Sequence, residues 1–142
     1  MNPDHFVPTL KVSNRMVEDD WHLWESRCIM RFLCESGEGE ELMGESLKHQ
    51  MLIDRWMYWD LGTFYPKMGA RLFRKILRGQ EPKKEDVNAL RDKLTYLNDY
   101  LGRNTVRDEP VYLTGDSPSL ADLSLAMLIE QTRLVCDTDE YK

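Results

Sequence analysis

The residue types in this chain that could do chemistry gather most suggestively at Trp24-Glu25-Ser26-Arg27-Cys28-Ile29. A short run rich in aromatics ends at Trp24, and a helical pattern opens directly at Glu25-Ser26 and continues to Leu33. A helix starting there leaves its first backbone N–H groups without carbonyl partners, so the tip is a ready site for an anion. A serine at a helix start is also an ordinary cap. The residues by themselves leave both roles open.

The other reactive side chains do not converge. His5, His22 and His49 lack carboxylate or cysteine partners at ligand spacing, which argues against a metal site. His22, between Trp21 and Leu23, is expected to face solvent. Cys28, Cys34 and Cys136 form no Cys-x-x-Cys pair and leave one over in any disulfide count. Met1-Asn2-Pro3-Asp4-His5 has no apolar signal core. Reduced thiols and a cytoplasmic location are therefore expected. Ser119 and Asp122 stand at capping-box spacing, with the hydroxyl expected to accept an N–H three residues on and the carboxylate to reach back. That pairing is structural and has no catalytic role. Arg71, Arg74, Lys75 and Arg78 recur at helical spacing and read as a solvated face.

The 142 residues can bury one ordinary core, or a small domain and part of another. With 19 basic against 25 acidic residues the net charge is −6, which excludes a general nucleic-acid binder. No stretch reaches the roughly 20 apolar residues of a membrane span.

The elements that must position Glu25 and Ser26 read as follows. Phe6–Leu10 and Trp21–Trp24 are predicted strands joined by the polar stretch from Ser13 to Asp20, with Pro8 at the head of the first strand. The helix after Glu25 closes at Ser36-Gly37. Gly37 to Gly44 has linker composition, which sets a boundary near Gly44. A long helical pattern runs from Ser46 to Arg78 and is expected to kink at Pro66. Val87, Leu90, Leu94, Leu97 and Leu101 then form a narrow stripe that Gly102 should end. Leu120 to Ile129 is apolar on every face, the pattern of a buried helix. The sum is a half-formed α/β unit followed by an all-helical one.

Four pieces, in order along nearly the whole chain, resemble glutathione transferases, most closely the insect delta and epsilon classes. The first is Asn2-Pro3-Asp4-His5-Phe6-Val7-Pro8-Thr9-Leu10. The resemblance implies a cis proline at Pro8, a Val7 backbone that pairs with the cysteinyl part of glutathione, and His5 near the glycyl end. The second, Trp24-Glu25-Ser26-Arg27-Cys28-Ile29, looks like the family's Glu-Ser-Arg-Ala-Ile. It implies that Glu25 and Ser26 hold the γ-glutamyl end, with Arg27 beside them. The third, Asp54 to Tyr65, resembles the first helix of the helical domain and implies that Tyr65 borders a hydrophobic co-substrate pocket. The fourth is the capped core helix from Gly115 to Leu123. The aromatic run that the family has after the Tyr65 place is reduced here to Leu72-Phe73.

The resemblance implies a mostly α protein with a small α/β part: a partial thioredoxin-like, glutathione-binding domain over 1–44 and a helical domain over 45–142. The chain is expected to be truncated at both ends. The segment carrying the family's catalytic serine or tyrosine would precede Met1, so no catalytic residue is assigned and weak or absent turnover is expected. The implied activity is conjugation of glutathione, as co-substrate, to hydrophobic electrophiles in detoxification. The alternative is a non-catalytic, glutathione-binding or dimer-partner remnant. The expected partners are glutathione, an electrophile and a second family chain as homodimer or heterodimer, with no metal, nucleic acid or membrane.

Overall fold

The computed structural model describes residues 2, 4–13, 20–37, 39–104 and 110–136. It is mostly helical, with a single two-stranded sheet among the described residues. Strand β1 (Thr9–Val12) pairs antiparallel with β2 (Trp21–Trp24), Thr9 opposite Trp24 and Val12 opposite Trp21. The first strand begins later than predicted because the buried Asn2 side chain captures the preceding backbone. Its Nδ2 donates to the Phe6 carbonyl at 2.7 Å and to Thr9 Oγ1 at 3.0 Å, and its Oδ1 accepts the Asp4 N–H at 2.9 Å. An asparagine bonding local backbone in this way competes with a ladder. The Val7–Pro8 peptide is cis. His22 is half-buried rather than solvent-facing, whereas Trp21 is 43% exposed and meets Phe32 edge-on at 5.3 Å.

Helix α1 (Ser26–Ser36) follows β2 directly. Within the predicted linker lies one 3₁₀ turn, Glu40–Leu42, and Gly44 takes φ 79° against the His49 ring. A Cβ built on Gly44 would stand 2.7 Å from His49 Cγ, so only glycine fits. Helix α2 (Leu47–Trp59) is capped by Ser46, whose hydroxyl accepts the His49 N–H at 3.2 Å. Around Pro66, where a kink was predicted, the helix changes its winding. It passes through π-wound stretches at Asp60–Phe64 and Pro66–Phe73 before α3 (Arg74–Leu77). A wider turn accommodates the ring and missing N–H of Pro66.

Helix α4 (Lys84–Asn104) runs through Gly102, so the predicted stop there is corrected: an exposed mid-helix glycine costs only about 1 kcal/mol. Lys75 Nζ lies 2.8 Å from Asp86 Oδ2 and ties α3 to α4, which removes it from the predicted solvated face. The Arg71 and Arg74 side chains lie outside the described residues. Helix α5 (Leu120–Cys136) packs on α2 and on Pro66–Phe73. Leu120, Ala121, Leu125 and Leu128 are buried, but Leu123 and Met127 are 44% and 67% exposed. The expectation of burial on every face is thus corrected to one face. Leu72 is fully buried with Ile53, Phe64, Met68 and Leu90 in a single core.

At the start of α5 the Asp122 carboxylate reaches back to the Ser119 N–H as predicted, and only the role of the hydroxyl differs. Asp122 Oδ2 accepts both the Ser119 N–H (2.8 Å) and the Ser119 hydroxyl (2.6 Å). The hydroxyl donates to the carboxylate rather than accepting an amide. Asp122 Oδ1 takes the Leu113 N–H at 2.8 Å, which binds the incoming loop to the helix.

Candidate functional site

The start of α1 borders a cavity of about 340 Å³. Phe6, Val7 and Pro8 line it from the turn before β1, Glu25, Ser26 and Arg27 from the start of α1, and Leu61 and Tyr65 from the π-wound region. Val7 lies outside the β1–β2 ladder, whose first pair is Thr9 with Trp24, and is 91% exposed. One side of the cavity is polar and the other is aromatic and aliphatic.

The helix start itself is uncapped: Glu25 makes no side-chain cap bond, and no acidic residue lies in the first turn. The Glu25 carbonyl already serves the helix, accepting the Ile29 N–H at 2.9 Å. Its φ of 70° and that of His5, 56°, are the positive values of non-glycine residues among those described. Such backbone is costly, on the order of 1–3 kcal/mol each, and tends to persist where a site requires it.

Beneath the helix start runs a buried polar chain. Ser124 of α5 donates to Asp60 Oδ2 at 2.5 Å. The same oxygen takes Arg27 Nε at 2.8 Å and Arg27 Nη2. Arg27 Nη1 in turn donates to Ser26 Oγ at 3.0 Å, which leaves the Ser26 proton free to donate onward. The Asp60 side chain is 0% exposed, and its Oδ1 has no hydrogen-bond partner among the described residues. Arg27 therefore spends its charge on Asp60 and acts on the cavity through Ser26. One turn on, Arg31 Nη1 meets Asp54 Oδ1 and Oδ2 at 2.6 and 2.7 Å in a more exposed pair. The Glu35 carboxylate, with Asp54, holds the Arg31 guanidinium above its usual range. Among the described residues no three metal-ligating side chains gather.

No family model matches the chain. Over 136 residues, 95% of its length, it is 29% identical to glutathione S-transferase D6 of Drosophila melanogaster, of which it spans 58%. A delta-class glutathione transferase of Nilaparvata lugens superposes with a TM-score of 0.75 at 27% identity, covering 97% of this chain and 59% of that one. The chain is similar to glutathione transferases in sequence and in fold. An epsilon-class enzyme of Musca domestica, 23% identical, shares the fold with a TM-score of 0.76 over 99% of this chain and 61% of its own. The small sheet with α1 is thus the thioredoxin-like part of a transferase fold, and the remaining helices are its helical part.

Val7, Pro8, Glu25, Ser26, Arg27 and Tyr65, all singled out in the sequence, meet at one cavity. His5 is exposed two residues before Val7 and is not among the lining residues described. Sequence reasoning missed Phe6 and Leu61 on the lining, and Asp60 and Ser124 beneath it. A signal for the last two was present: Ser124 interrupts an apolar helix and Asp60 an aromatic run, and buried polar groups require partners.

Proposed function

We propose that this chain binds glutathione in the cavity at the start of α1 and serves its conjugation to hydrophobic electrophiles in detoxification. The supporting observation is that Glu25, Ser26 and Val7 share one cavity. The γ-glutamyl end of glutathione carries an ammonium and a carboxylate on one carbon. Glu25 suits the ammonium, while the uncapped N–H groups of α1 and the Ser26 hydroxyl suit the carboxylate. The Val7 backbone, free of the ladder, takes the cysteinyl amide, His5 lies toward the glycyl end, and the sulfur points to Leu61 and Tyr65, where the electrophile binds.

The described residues equip this site for binding more than for activating a thiol. A thiol with pKa about 8.5 is roughly 3% ionised at neutral pH, and lowering it by two units requires about 2.7 kcal/mol of preferential stabilisation of the thiolate. Arg27 is neutralised by Asp60, and Glu25 adds a negative charge to the cavity. Weak turnover by this 142-residue chain is the expected result. That electrostatic observation favours the second reading, a non-catalytic glutathione-binding or dimer-partner form. The proposal extends to domains over 1–44 and 45–142, to a homodimer or heterodimer within the family, and to the cytoplasm. No helix among the described residues is long and apolar enough to cross a membrane.

A thermal-shift titration of the purified chain with glutathione tests the binding. Saturation at a hundred times Kd should add about 2.7 kcal/mol of stability. At the same glutathione concentration the gain should fall by about half or more in Glu25→Ala and in Ser26→Ala, and a shift that both variants retain in full overturns the site. A conjugation assay with an aromatic chloride on the same sample separates the two readings: rapid turnover selects the enzyme, binding without turnover the non-catalytic form.

A further inference from the structure

Asn2 is not among the residues lining the cavity at α1, yet every polar atom of its side chain is spent on the segment that forms one wall of it. Its two amide hydrogens go to the Phe6 carbonyl at 2.7 Å and to Thr9 Oγ1 at 3.0 Å, and its Oδ1 accepts the Asp4 N–H at 2.9 Å. Thr9 Oγ1 closes the ring by donating to the same Phe6 carbonyl at 3.1 Å. The brace is buried, with Asn2 7% exposed, while Val7, which follows the doubly held carbonyl, is 91% exposed. The Phe6–Val7 peptide is trans and planar, so holding the Phe6 oxygen also fixes the direction of the Val7 N–H on the other side of the same plane. That N–H makes no backbone hydrogen bond among the described residues. A donor aimed by its neighbours and left without an acceptor at a cavity wall is prepared for a ligand.

We infer that Asn2 is a positioning residue, which aims the Val7 N–H at the carbonyl of the central, sulfur-bearing residue of the bound peptide. The inference rests on the proposed binding of glutathione and adds to it a residue that touches no part of the ligand. Thr9 links the brace to the other half of the site: it is the first rung of the ladder, opposite Trp24, and Glu25 and Ser26 follow directly. Asn2 thus sets the Val7 donor against the start of α1 as well as against its own loop. A donor held in place before binding loses no freedom when the ligand arrives, so its hydrogen bond contributes in full, roughly fivefold to tenfold in affinity. Without the brace that increment is lost, while the γ-glutamyl end is held at α1 as before.

Calorimetric titration of the full chain with glutathione, γ-glutamylcysteinamide and γ-glutamylcysteamine tests it. The last two share the γ-glutamyl end and the thiol, and only the first of them carries the carbonyl that Val7 is to meet. The parent should bind the cysteinamide roughly fivefold to tenfold more tightly than the cysteamine compound. Asn2→Asp keeps the shape of the side chain and its Oδ1 acceptor but removes both donations, and should shrink that preference to within about twofold. Should Asn2→Asp not fold, Thr9→Val carries the test, since it keeps a β-branched residue in the ladder and removes the hydroxyl from the same ring. Adding Ser26→Ala should weaken glutathione by the same factor in the variant as in the parent, because the γ-glutamyl end is undisturbed. No preference in the parent, or a preference kept in full by the variant, overturns the role of Asn2 while leaving glutathione binding in place. A variant in which the Ser26→Ala effect vanishes along with the preference also overturns it, since Asn2 would then hold the fold of the whole site. Failure of all three ligands to bind the parent overturns the site and this inference together.

Discussion

Two helices of this protein start with a serine beside a carboxylate, and they use the pair in opposite ways. At α5, Asp122 folds back on Ser119 and takes its amide and hydroxyl together, and it also gathers the Leu113 amide. That start is closed: its polar groups are consumed by its own chain, and Ser119 is 2% exposed. At α1, Glu25 does not cap the helix, and Ser26 receives a hydrogen bond from Arg27 without closing over the first amides. That start is open, and a cavity lies against it. A helix start becomes a binding site when its own side chains leave its amides unclaimed while the scaffold beneath still holds it in place. At α1 the scaffold is the Ser124–Asp60–Arg27 chain.

The contrast breaks most visibly at that scaffold. Asp60→Ala should cost about 3–5 kcal/mol in denaturant unfolding, because it strands a largely buried Arg27 and the Ser124 hydroxyl. It should also weaken glutathione binding in whatever fraction stays folded, since Arg27 no longer aligns Ser26. A loss below about 1 kcal/mol would mean that Asp60 is not what anchors the open start. Next in size is Asp122→Ala, expected to cost about 1–3 kcal/mol by leaving the Ser119 and Leu113 amides unsatisfied. Its glutathione affinity, measured below the melting transition, should be that of the parent.

The closed start was legible in the sequence, and the scaffold of the open one was not, for a reason of range. The bonds of a cap span a few residues, so Ser119 and Asp122 declare themselves by spacing, even though the hydroxyl donates where it was expected to accept. Asp60 meets Arg27 across 33 positions and Ser124 across 64, distances at which no periodicity operates. The order of strands and helices followed from apolar spacing and turn residues. Burial did not follow so well: an all-apolar α5 reads as surrounded, but composition cannot say how many neighbours will pack against it, and Leu123 and Met127 remain exposed. The first strand was displaced because Asn2, seven residues from Thr9, bonds a turn that looks extended in sequence.

Exchanging the two serines sharpens the comparison at smaller cost. Ser26→Ala should change unfolding stability by no more than about 0.5 kcal/mol yet weaken glutathione binding about tenfold or more, as expected for a lost hydrogen bond to a charged group. Ser119→Ala should do the reverse, lowering stability by about 1 kcal/mol with affinity unchanged. Equal effects on both properties in either variant would erase the distinction between open and closed.

The smallest effect is expected at Arg31, and it decides whether the openness of α1 is local. Arg31 stands one turn beyond Arg27 on the same helix and also pairs with an aspartate of the long helix, but its side chain is 33% exposed and that of Asp54 19%, against 17% and 0% for Arg27 and Asp60. Water screens the outer pair, so Arg31→Met should cost under about 1 kcal/mol, and less still in high salt. Glutathione affinity should not move, because Arg31 does not touch Ser26 or the cavity. If Arg31→Met weakened binding as much as Arg27→Met, the two ion pairs would be acting together to set the position of the whole helix, and the site would be a property of how α1 docks rather than of how it begins.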